Sequence, residues 1–157
     1  MLFAPHNARA FCDCEESVKE VIESFKGVEA SNTEKKTSRM IDLHSSIESW
    51  KQNSVDVDIS KILDKEGLKS VLAVIKEFDV EFIVEPSRAE DGTVFAMWKE
   101  HWKFIDGAEA YNHESGAYTC TDDCKIKSIV HVQDAIEQHD TFEHMGKLIA
   151  ALSKKEL

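Results

Sequence analysis

The sequence predicts an α+β fold in which helices come first, an antiparallel sheet follows and one more helix closes the chain. Apolar residues recur at helical spacing through the first half and alternate through most of the second, so the hydrophobic period switches once. Asp91-Gly92 and Asp106-Gly107 set tight turns between consecutive alternating runs. After residue 134 the period becomes helical again.

Taken in order, Val18, Val21, Ile22 and Phe25 predict a helix over 15–26, with Gly27 as its stop. The stretch EASNTEKKTS, 29–38, has no apolar residue after Ala30 and is expected to be an exposed, flexible connector. Met40, Leu43, His44, Ile47 and Trp50 mark a helix face ending near Asn53, and Ile59, Ile62 and Leu63 a short segment after Asp56 and Asp58. Leu68, Val71, Leu72, Ile75 and Phe78 share one side of a helix over 66–78. Strands are expected over 80–86, 93–104, 109–119 and 125–133 as a meander, with Asp122-Asp123 as its last turn. Ile136, Phe142, Met145, Leu148, Ile149 and Leu152 then predict a helix over 135–153. Residues 1–36 are expected to form an extension with one helix, and 37–157 the main domain.

A chain of 157 residues suits one compact unit. Thirty acidic against nineteen basic residues give a net charge of −11, a field that repels nucleic-acid phosphates and anionic membranes. No apolar run approaches the ~20 residues of a membrane span, and MLFAPHNARAFCDCEE lacks the basic start and apolar stretch of a signal peptide. A soluble, cytoplasmic protein is expected, with Lys154 to Leu157 as a solvated helix end. Cys12, Cys14, Cys120 and Cys124 form two close pairs that could hold zinc if they met, but their spacings favour free thiols in a reducing compartment.

W50KQNSVDVD58, the helix-opening EGLKSVLAVIKEF, the alternating DVEFIVEP, the turn and strand DGTVFAMW and above all CKIKSIVHVQD carry a resemblance over residues 40–134. The chain resembles the nuclear transport factor 2-like superfamily, in its SnoaL-like cyclase and ketosteroid isomerase-like branch. The resemblance implies a cone: a curved antiparallel sheet wrapped around the N-terminal helices, with an apolar pocket open at one end. It implies a small hydrophobic ligand and no metal or cofactor. It does not fix a reaction, because the same fold hosts isomerases, cyclases, dehydratases and binding modules.

Asp134 is the first candidate acid or base. Alternation sets it in line with Ile126, Val130 and Val132, and an acid among apolar groups loses hydration and gains proton affinity. It also stands where a helix must begin, with Glu137 three residues on, so a capping role is the competing reading. Along T93VFAMWKEHWKF104, Glu100 falls between Trp98 and Trp102 on one face, either an acid beside a flat ligand or a solvated residue at the rim. Tyr111 is the second catalytic candidate, as a donor to an enolate-like oxygen, and Tyr118 is open to the same role. Trp50, Trp98, Glu100, Trp102 and Tyr118 are the expected ligand contacts. His101 and His131 are expected on the outer face, and the run His131, Asp134, His139, Asp140 and His144 reads as a surface cluster because adjacent helical residues diverge. Apolar residues on both sides of the sheet predict a homodimer. Two functions follow: proton transfer on a small hydrophobic carbonyl compound, or a non-enzymatic ligand-binding or dimerisation module of the same fold.

Overall fold

The structure, a computed structural model, describes residues 12–155. Most of the stretch before the first helix and the end of the Lys154 to Leu157 tail lie outside the described residues. Asp13 caps helix α1 (Cys14–Ile22), its carboxylate accepting the Glu16 N–H at 3.2 Å. Cys14, Val18, Val21 and Ile22 are its buried stripe. The helix ends sooner than its apolar spacing suggests, and Phe25 lies in the turn that Gly27 completes at φ +67°. There Phe25 still packs inward, 5.3 Å from Trp102 and 5.6 Å from Phe78 between ring centroids.

The polar stretch expected to be a flexible connector is mostly helical. A single 3-10 turn, Ala30–Asn32, leads into α2 (Thr33–His44). Its inner stripe is Thr37, Met40 and His44, and the wholly buried Thr37 spends its hydroxyl on the Thr33 carbonyl at 2.7 Å. A polar residue thus occupies a core position, which hides the helix from a search for apolar spacing. Helix α2 stops at His44, so Trp50 lies on a strand, β1 (Ser49–Gln52), rather than on a helix. Asn53 and Ser54, at φ 48° and 66°, turn the chain into β2 (Val55–Asp56).

After the single turn α3 (Ile59–Ile62), α4 (Lys65–Val74) buries Leu68, Leu72 and Val74. It ends before Ile75 and Phe78, which belong to the long strand β3 (Ile75–Arg88). Those two residues fit the helical spacing of α4 by coincidence, since the alternation of Phe78, Val80 and Phe82 already belongs to the sheet. Strands β4 (Val94–Phe104), β5 (Glu109–Cys120) and β6 (Ile126–Gln133) complete it. The order is β2-β1-β6-β5-β4-β3, antiparallel throughout except where β1 runs parallel to β6. Register shifts between β3 and β4 add local bends to the longest strand pair, which curls the sheet.

One further irregularity overturns a sequence expectation. The β5–β6 register steps from Thr119↔Ser128 to Cys120↔Ile126, leaving Lys127 as an extra residue. Ile126 and Ile129, three apart, therefore both face the core, while Val130 and Val132 are 48% and 59% exposed. His131 faces inward instead of outward.

Helix α5 (Ala135–Lys155) packs on β5 and α4 and buries Thr141 and Met145. The core joins α1, α4, α5 and the concave face of the sheet, with Val18, Val74, Trp98, Phe104, Tyr118, Ile126 and Ile129 almost wholly buried. Burial of each large side chain contributes about 1.5–3 kcal/mol. Helix α1, expected in an extension, packs within this same core. The four cysteines are not free thiols: Cys12–Cys124 and Cys14–Cys120 form two disulfides with Cα separations of 5.3 and 6.0 Å. They meet because the start of α1 lies on the β5–β6 turn, where Ser17 Oγ also donates to the Cys124 carbonyl at 2.7 Å. Among the described residues no helix is long and apolar enough to cross a membrane.

Candidate active site

Between the concave face of the sheet and helices α1, α2, α4 and α5 lies a cavity of about 480 Å³. Lys61 and Phe142, its exposed lining residues, mark the mouth, and apolar side chains such as Ile22, Phe25, Leu68 and Met145 form much of the wall.

The polar part of the lining follows from strand register. Pairing of β4 with β5 sets Glu100 opposite Asn112 and Trp98 opposite Glu114, which makes the two acids diagonal neighbours on one face. Pairing of β5 with β6 sets Glu114 opposite Gln133 and Gly116 opposite His131. Glu100, Asn112, Glu114, Tyr118 and His131 all point inward and none is more than 8% exposed.

Glu100 is held by two indoles. Trp98 Nε1 donates to one carboxylate oxygen at 3.1 Å and Trp102 Nε1 to the other at 2.9 Å. These donors favour the anion, yet burial outweighs them and raises the Glu100 pKa above the ordinary glutamate value. Glu114 is pushed up further, first by burial and then by the charge of Glu100 beside it. Glu114 therefore holds a proton more tightly than Glu100 does, and the two carboxyl groups interact directly.

The Tyr118 hydroxyl stands 2.5 Å from His131 Nε2. Burial pushes the phenol pKa well above its ordinary value, so the O–H donates and Nε2 accepts. The ring proton then sits on Nδ1, which faces Glu114 Oε2 at 3.9 Å. Burial, and secondarily the repulsion that protonated His44 would exert, holds the His131 pKa at about 3. With His131 neutral, this contact is not an ion pair. Gly116 makes room for both rings, since a Cβ there would come within 2.8 Å of His131 Cδ2 and of Tyr118 Cε2.

His44 is the second buried imidazole. Its Nδ1 lies 2.6 Å from the Met40 carbonyl and so carries the proton, which leaves Nε2 as a bare acceptor. Burial lowers its pKa. The ring stacks on Trp50 at 5.9 Å, and Trp50 meets His131 edge-on at 5.4 Å. Trp50 Nε1 is buried and has no hydrogen-bond partner among the described residues.

Trp50, Trp98, Glu100, Trp102 and Tyr118 thus line the cavity, whereas Asp134 and Tyr111 do not. Asp134 is exposed and caps α5, its Oδ1 accepting the Ile136 and Glu137 N–H groups at 2.9 and 3.0 Å. The extra residue in β6 is what turns it away from the interior. Tyr111 is 45% exposed on the outer face, stacked on His101 at 4.4 Å with the Lys99 ammonium over its ring. Glu114, His131, Asn112 and His44 join the site without a sequence pattern that singles them out for it. The alternation of Asn112, Glu114, Gly116 and Tyr118 is the one available signal for the β5 members. At the surface of α5, His139, Asp140 and Glu143 bring ligand-type atoms within 4.8 Å of one another, closer than the expected divergence, but all three are exposed.

No family model matches the sequence, and no curated protein does either. Solved structures do match in fold. BvnE pinacolase from Penicillium brevicompactum superposes with a TM-score of 0.61 at 11% identity, covering 87% of this chain and 96% of its own. An NTF2-like protein of unknown function from Exiguobacterium sp. 255-15 gives 0.54 at 22% identity, covering 76% and 98%. SalBIII, an epoxide hydrolase/cyclase-like enzyme of pyran ring formation in the polyether salinomycin, gives 0.52 at 13% identity, covering 80% and 95%.

Proposed function

We infer from the nuclear transport factor 2-like fold of this chain, and from the carboxyl pair inside it, that the protein is a proton-transfer enzyme of isomerase, cyclase or dehydratase type acting on a small hydrophobic carbonyl compound. One observation carries this reading. Glu100 and Glu114 share a face of an apolar cavity, and burial raises the proton affinity of both, of Glu114 more than of Glu100. Glu100 is the base, oriented by the two indole N–H groups, and Glu114 is the acid. The His131–Tyr118 pair fixes the wall beside Glu114. Asp134 keeps its capping role, and Tyr111 is left out of the chemistry. The pinacolase and the epoxide hydrolase/cyclase-like enzyme support a reaction at a carbon–oxygen centre in such a cavity.

Carboxyl-carbon NMR of the titrating glutamates tests the assignment. A buried signal with a midpoint well above the ordinary value, lost in Glu114→Gln, is expected. Ordinary midpoints for both acids would remove the reading.

A second reading, a ligand-binding or dimerisation module without turnover, is favoured by the convex face of the sheet. Phe95, Met97, Val130 and Val132 are 45–59% exposed there. Such a face suits a homodimer under either reading. Light scattering of the protein and of Met97→Glu tests it, with a dimer that becomes a monomer as the expected outcome. Two disulfides do not suit the cytoplasmic setting expected from the sequence, and an oxidising compartment fits them better.

A further inference from the structure

Charge inside the cavity is one-sided. Two acids, Glu100 and Glu114, belong to the lining, and the one lysine or arginine among the described lining residues is Lys61, exposed at the mouth. Glu100 has no ion-pair partner among the described residues, and both its oxygens are held by indole N–H dipoles. The two imidazoles that face the pair supply no charge, because burial keeps His44 and His131 neutral. A buried carboxylate without a counter-charge is costly, and a ligand that brings a positive charge relieves that cost. The rest of the wall acts in the same direction, since Trp50, Trp98, Trp102, Phe25 and Tyr118 are rings whose faces carry negative potential. The chain's net charge of −11 draws cations and repels carboxylates and phosphates at the mouth.

We propose that the cavity takes a small hydrophobic compound bearing a cationic nitrogen, an amine in its protonated form, with the nitrogen against the Glu100–Glu114 pair. The proposal rests on the cavity and the carboxyl pair of the proposed function and names the charge class of the compound they hold. Anionic compounds are excluded.

The three tryptophans of the chain all line the cavity, so their fluorescence reports its occupancy. Phenyltrimethylammonium and tert-butylbenzene have the same shape and differ in charge, and water expels the neutral one more strongly. Binding of the cation at least about tenfold tighter than its neutral twin, with affinity rising with pH as the pair loses its proton, is expected. Glu100→Gln removes the anion itself and should weaken the cation by about tenfold while changing tert-butylbenzene little, whereas Glu114→Gln, neutral like the protonated acid it replaces, should mainly flatten the rise of cation affinity with pH. If tert-butylbenzene binds as tightly as the cation or more so, the charge inference falls while the cavity reading stands. If neither probe changes the fluorescence at saturating concentration, both fall.

Discussion

Gly116 stands directly across the β5–β6 ladder from His131, and the absence of a side chain there is what lets the imidazole lie flat enough to accept the Tyr118 hydroxyl. Gly116→Ala would press a methyl group against both rings at 2.8 Å. The expected outcome is a loss of about 1–3 kcal/mol in denaturant unfolding, with a displaced His131 ring signal by NMR. An unchanged unfolding midpoint and an unchanged His131 signal would contradict this account of the glycine.

The two acids should respond differently to amide substitution. Glu100→Gln turns an amide nitrogen toward an indole N–H that now has no acceptor, so stability should fall by about 1–3 kcal/mol. Glu114→Gln keeps a donor aimed at Glu100, so the fold should lose much less while the transferable proton is gone. Equal unfolding midpoints for the two variants would contradict the assignment of the proton to Glu114.

Stability should peak in mildly acidic solution. His131 titrates near 3 in the fold against an ordinary 6.5, so unfolding takes up a proton between these values and stability falls as pH drops through that window. His44, also lowered, acts in the same direction. The carboxyl pair has the opposite sign: its raised pKa values stabilise the fold below the ordinary 4.5, and that contribution is lost as pH rises through the raised values. A maximum between about 4.5 and 6.5 follows, and Glu114→Gln should flatten the alkaline limb. Unfolding free energy that rises steadily from pH 5 to 9 would contradict the buried carboxyl pair.

Thiol titration of the unfolded, unreduced protein should find none of the four cysteines reactive, and all four after reduction. Closing a loop of this length stabilises by about 4–5 kcal/mol in the chain-entropy view, so reduction should lower the thermal midpoint by about 10 °C or more. Four reactive thiols before reduction would overturn the crosslinks.

The meander is legible in the sequence because Val94, Ala96, Trp98, Glu100, Trp102 and Phe104 alternate without interruption between two Asp-Gly turns. That same alternation sets Glu100 beside its tryptophans, where the structure also has it. What fails is parity. A single extra residue at Lys127 inverts every later position of β6, and no feature of KIKSIVHVQD marks the insertion. Plain alternation therefore turns His131 outward and Asp134 inward, the reverse of the fold. Helix α2 escapes detection from Thr33 to Ser38 because a threonine satisfied by its own backbone occupies a core position. The disulfides escape it because pairing depends on α1 reaching the β5–β6 turn, a tertiary fact that cysteine spacing alone does not carry.

The crosslinks also decide how the molecule would bear a mechanical load. Cys12 is tied to Cys124 and Cys14 to Cys120, at separations of 112 and 106 residues, so the covalent path from one end to the other bypasses α2, α4 and most of the sheet. Tension applied at the two ends would pass from Cys12 straight to Cys124 and spend itself on β6 and α5. Strands β3 and β4, and with them the carboxylate of Glu100, would lie outside the line of force. A backbone cut anywhere between residues 15 and 119 would likewise leave one covalently connected molecule, whose pieces separate only after reduction.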